Sequence, residues 1–109
     1  MAQTAVKVLF SQSHYTLNDE LVGWLKQSAN QITIRGISMD SNQYGHCLTV
    51  MYTTGGGPAY GGLVLFSRRH DDLEAEANET LAQAQHMAFE FVAVGSNEHG
   101  HCLCVIGQA

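Results

Sequence analysis

The sequence predicts an α+β protein assembled from two copies of one βαββ unit, and three observations predict it. Residues 8–14, VLFSQSH, return as VLFSRRH at 64–70. Residues 41–50, SNQYGHCLTV, return as SNEHGHCLCV at 96–105. Between these blocks Leu17, Glu20, Leu25 and Gln27 return as Leu73, Glu76, Leu81 and Gln83. Sixteen positions agree, at an offset of 56 that falls to 55 in the last block. Two blocks repeated at nearly equal spacing in one short chain mark a tandem duplication.

Each unit reads the same way. Ala5 to Ser11 is a short apolar run rich in β-branched residues, which predicts a buried strand. Thr16, with Asp19 three residues on, has the pattern of a helix N-cap and its partner. Leu17, Leu21, Trp24, Leu25 and Ser28 then recur at helical spacing and give one stripe for the core. Gln31 to Met39 alternates as a strand, but its phase shifts from Ile32 and Ile34 to Ile37 and Met39 around Gly36. That shift predicts a bulge, and a bulge present in one copy accounts for the change of offset. SNQYG is turn chemistry, and His46 to Thr53 is the returning strand.

In the second unit Gly62 to Ser67 is a strand. Asp71 or Asp72 is placed to cap a helix with a smaller core face of Leu73, Ala77, Thr80, Leu81 and Ala84. Asp71, Asp72, Glu74, Glu76 and Glu79 crowd its first half, where the helix dipole favours anions. Phe89 to Gly95 is a strand, SNEHG turns, and His101 to Ile106 returns. The expectation is one domain over residues 1–109, with units at about 5–54 and 62–107 joined by a Gly-rich loop at 55–61. The expected architecture is a mixed sheet with both helices packed on one face, related by a pseudo-twofold. The paired modules are similar in layout to those of the vicinal-oxygen-chelate enzymes. Those carry one strand more, and none of their ligand motifs is found here, so no residue is transferred from them.

AVKVLFS, CLTVMY and CLCVI have apolar residues at both parities, so their sheets need cover on both faces. Two helices cover one face only, and the other predicts a homo-oligomer, most simply a dimer. Composition agrees: charged residues are 14% of the 109, against about 25% in typical domains, and interface cores are depleted in charge. Five Lys and Arg against ten Asp and Glu leave a net charge of −5, which argues against nucleic acid as a partner. No apolar run of transmembrane length and no leader-like start are present, so neither membrane nor export is expected. Three cysteines are an odd set for a disulfide framework, and reduced thiols in the cytoplasm are the expectation.

Chain direction places the polar repeats. If the first strand runs upward, it ends at FSxxH. The helix descends, the second strand rises, and the SNxxGH turn arrives at the same end. Strand ends that meet helix starts are where α/β units hold ligands. The expected ligand-binding residues are Ser11, His14, His46, Ser67, Arg68, Arg69, His70 and His101. Arg68 and Arg69, between a strand end and a helix start, suit a phosphate or carboxylate. His99 and His101, two apart on a strand, would share a face and suit a divalent metal such as zinc. Cys102 and Cys104 would share the opposite face. Ser11 with His14 and Ser67 with His70 put a hydroxyl near an imidazole, but no GxSxG elbow and no orienting acid accompany them.

The functional expectation is therefore a small, oligomeric, non-catalytic binding module. It would hold an anionic small molecule or a protein partner at its His/Ser/Asn/Arg-rich edge. The alternative is a metal-binding protein or metal-dependent enzyme built on His99 and His101.

Overall fold

The computed structural model describes residues 2–109. Eight elements follow in order: β1 (Thr4–Ser11), α1 (His14–Gln27), β2 (Ile32–Asn42), β3 (Gly45–Thr54), β4 (Tyr60–Ser67), α2 (His70–Gln83), β5 (Ala88–Asn97) and β6 (Gly100–Gln108). This is the duplicated βαββ layout, joined by the glycine-rich segment.

The strands pair differently from a single mixed sheet. Each unit is its own three-stranded antiparallel sheet, ordered β1-β3-β2 and β4-β6-β5. The hairpin strand inserts between the two strands that the helix connects, so β1 and β2 run parallel without touching. The reason is local: a tight hairpin forms an antiparallel ladder at once, whereas parallel neighbours need the crossover to place them. The edges β2 and β5 lie side by side without a shared ladder.

The helices also depart from cover on one face. α1 packs on β1 and, more extensively, on β4 of the second unit. Leu17, Leu21 and Leu25 join Leu48, Val50, Val64, Cys102, Cys104 and Ile106 in one buried core. α2 lies along the other face of the second sheet, beside Leu103 and Val105. The second sheet is thus held between the helices. α2 makes no comparable packing with β1, so the internal relation is not a closed twofold.

Three local expectations change. α1 starts two residues before Thr16, at His14, because Ser13 is the N-cap and its Oγ accepts from the Tyr15 N–H at 3.1 Å. α2 starts after Arg69, which makes no side-chain cap, and Asp71 and Asp72 fall in its first turn. The bulge is in both copies, between Ile34 and Gly36 and between Phe89 and Phe91. In each it expels a charged residue, Arg35 or Glu90, toward solvent. Ile34 pairs with Tyr52 as Phe89 pairs with Gly107, so the two are equivalent and the one-residue difference in length lies between helix and bulge.

Candidate functional site

The SNxxGH turn is built the same way twice. Asn42 Oδ1 accepts from the N–H groups of Tyr44 and Gly45, at 2.8 and 3.2 Å. Asn97 Oδ1 does the same for His99 and Gly100, also at 2.8 and 3.2 Å. Gly45 and Gly100 have φ of 151° and 152°, and a Cβ on either would strike the backbone at the end of the first strand of its unit. The glycines let that strand end and the turn come together. The serine then bonds across the strand pair to the histidine. Ser41 Oγ and His46 Nδ1 are 2.7 Å apart, and Ser96 Oγ and His101 Nδ1 are 2.6 Å apart. Reading residue types alone missed these bonds, although the repeat of Ser and His five apart was their signal.

The two turns meet. Asn97 Nδ2 donates to the Asn42 carbonyl at 3.0 Å. A Cβ on Gly95 would stand 2.8 Å from Ser41 Oγ, so glycine there permits the approach of β5 to β2. Between the turns and the start of α1 lies a cleft of about 450 Å3. His14, Tyr44, His46, Asn97 and His99 line it, with Phe66 of the second unit as its apolar wall. His14 stacks on Phe66 with ring centroids 5.2 Å apart, and His46 lies 5.8 Å from the same ring. Burial lowers the pKa of His14, with Glu76 partly opposing. Burial also lowers that of His46, and a charge on His14 would lower it further. Both imidazoles are therefore uncharged at neutral pH.

The remaining expected site residues go elsewhere. Ser11 Oγ accepts from the Ser13 N–H at 3.3 Å and so supports the entrance to α1. Ser67 Oγ donates to Glu76 at 3.1 Å. Arg69 makes a two-pronged ion pair with Asp71, at 3.1 and 2.9 Å, on the surface. Arg68 is exposed. His70 and His101, the repeat counterparts of His14 and His46, sit edge to face 6.3 Å apart and line a separate groove of about 700 Å3 beside α2.

His99 and His101 do not converge. His99 belongs to the turn before β6 and lines the cleft, whereas His101 lines the groove. Among the described residues no three His, Cys, Asp or Glu side chains gather as a metal-ligand group. Cys102 and Cys104 lie in the core, and burial pushes their thiols up to about 11 and about 12. They are protonated there and behave as apolar side chains.

Chemically, the cleft offers the uncharged imidazoles of His14 and His46 with amide and phenol groups beside an aromatic face. Such a set can hold a molecule by hydrogen bonds and stacking. Among the described residues neither serine-bonded histidine has a carboxylate hydrogen-bond partner, so no triad is assembled. No helix among the described residues is long and apolar enough to cross a membrane. Comparison with known proteins finds no matching family model, no similar curated protein and no similar solved structure.

Proposed function

We propose that the protein is a non-catalytic binding module whose cleft between the two SNxxGH turns holds a small polar molecule with a planar face. The observation that carries this is the cleft itself. About 450 Å3 falls in the range of small-molecule sites, which are concave, part apolar and furnished with a few convergent polar groups. Both repeat units contribute to it, so the duplication builds the site. The ligand is read as uncharged: His14 and His46 carry no charge at neutral pH, and Arg69 is engaged by Asp71. An anionic ligand would need Arg68 and Arg69, which lie outside the cleft. The setting is read as the cytoplasm, where three unpaired thiols stay reduced.

Titration of 15N-labelled protein with neutral planar probes (nicotinamide, uracil and adenine) tests the reading. At least one probe is expected to shift the amides of Tyr44, Gly45 and His99, and His14→Ala to weaken it roughly tenfold, the loss of one hydrogen bond and one stacked ring. Shifts confined to other surfaces, or affinity indifferent to His14→Ala, would overturn it.

A further inference from the structure

Two open surfaces on this chain are the repeat counterparts of two surfaces that pack together inside it. We infer that the protein forms a twofold homodimer in which β1 of each copy packs against α2 of the other, repeating between copies the contact β4 makes with α1. The inference is independent of the cleft and of its ligand.

In the internal contact Val64 and Phe66 of β4 meet α1. The Val64 N–H donates to Asn18 Oδ1 at 2.8 Å, and Phe66 packs on His14 and His46. On the strand side the counterparts of Gly62, Val64 and Phe66 are Val6, Val8 and Phe10. They form an apolar stripe 57, 55 and 49% exposed. On the helix side the counterparts of His14, Asn18, Leu21, Leu25 and His46 are His70, Glu74, Ala77, Leu81 and His101. All five line the groove of about 700 Å3. Phe89 and Phe91 also line the groove, but among the described residues no phenylalanine ring pairs with His70 or His101 as Phe66 does with His14 and His46, and Phe10 of a second copy would take that place.

Size, hydrogen bonding and area point to a second copy as the occupant. A Cβ on Gly62 would stand 3.0 Å from Leu21 Cδ2 and from Leu25 Cδ1, so a bulky helix faces a bare strand. In the open pair the bulk has changed sides, with Val6 in place of Gly62 and Ala77 in place of Leu21. The pairing of Val8 with Thr49 repeats that of Val64 with Cys104. The Val8 N–H therefore points out of the sheet edge, and Glu74 in place of Asn18 supplies an acceptor. The isolated chain exposes 6343 Å2, more than the about 5,900 Å2 usual for a folded monomer of this mass. One departure is visible: Asp40 stands where the second unit has Gly95, so the contact between copies is more open at that end. A stripe and a groove on one chain, out of reach of each other, close when two copies exchange them about a twofold axis.

Sedimentation velocity and native mass spectrometry on wild type, Val8→Lys, Leu81→Lys and an equal mixture of the two variants test this. Wild type is expected at twice the 11.9 kDa chain mass. Each variant alone is expected to stay folded by circular dichroism and to be monomeric, with association weakened at least a hundredfold. The mixture, which restores one intact stripe to one intact groove, is expected to recover a dimer at roughly 1 mM, a concentration that populates weak contacts. A monomeric wild type, a larger ring, a dimer unaffected by both substitutions, or a mixture that stays monomeric would each overturn the proposal. So would a monomer whose groove takes up an apolar dye.

Discussion

Val8 and Val64 occupy the same place in the same tetrapeptide, VLFS, at the end of the same kind of strand. Val64 is 4% exposed and Val8 is 55% exposed. The contrast extends over the whole sheet face. Cys102, Cys104 and Ile106 are fully buried in the second unit, while their repeat counterparts Cys47, Thr49 and Met51 are open to varying degrees. Local sequence cannot produce this difference, because locally the two stretches are equivalent. It arises from what lies opposite: α1 covers the Val64 face of β4, whereas among the described residues nothing covers the Val8 face of β1, whose other face packs on α1 through Leu9. A duplicated unit carries both a strand face that needs cover and a helix side that gives it. A chain of two such units satisfies one pair and leaves one of each.

The sharpest test of that contrast is thiol chemistry. Cys47 of the open face is expected to react with maleimide in the isolated monomer, for example in Val8→Lys. In wild type its rate is expected to fall as concentration rises and the face is covered. Cys102 and Cys104, protonated and enclosed, are expected to react only after denaturation. Counting labelled thiols by mass spectrometry checks this, and equal labelling of all three in native protein would break the comparison.

Swapping sizes between the units is the next largest effect. Leu21→Ala, which gives α1 the residue of α2, is expected to cost about 2–5 kcal/mol by leaving a cavity. Gly62→Val, which gives β4 the residue of β1, is expected to cost about 1–3 kcal/mol by overpacking against Leu21 and Leu25. Together they should cost less than the sum, since the added valine occupies what the leucine vacates. Denaturant unfolding of the four proteins measures the coupling, and strict additivity would show that the two residues do not share the contact.

The serine–histidine bonds give a smaller contrast. Ser41→Ala leaves Nδ1 of a buried histidine without its partner and is expected to cost about 1–3 kcal/mol, whereas Ser96→Ala, at an exposed bond, is expected to cost under about 1 kcal/mol. The same burial sets the pH response. His14 and His46 have lowered folded pKa values, so the unfolded chain takes up protons first. Their contribution to stability is present above the ordinary value of 6.5 and is lost as the pH falls through 6.5 toward those lower values. Melting followed from pH 8 to 5 is expected to show a declining midpoint, and His46→Gln a shallower decline. Least of all, Arg69→Ala is expected to leave the melting temperature unchanged, because its partner Asp71 is also on the surface.

Element types and the duplication were legible because apolar periodicity and repeated blocks are local signals. Strand order was not, since nothing in VLFS or CLTV states that β3 lies between β1 and β2. The start of α1 was not legible because Ser13 and Thr16 both have a capping hydroxyl, and that of α2 because its N-cap, Arg69, makes no side-chain cap. Apolar residues at both parities call for cover on two faces in both units alike. Which unit obtains it inside the chain is a property of tertiary packing. Of the candidate site, His14 and His46 could be grouped from chain direction. Phe66, the wall between them, comes from the other unit and left no signal beyond its membership of the repeated FS.

The most direct measurement is an isotope-filtered nuclear Overhauser experiment on protein mixed from labelled and unlabelled chains. Contacts between copies are expected from the Phe10 ring to His70 and His101, and from the Val6 methyls to Ala77. Contacts between copies through the β5 face or the turns, with Phe10 silent, would contradict the account.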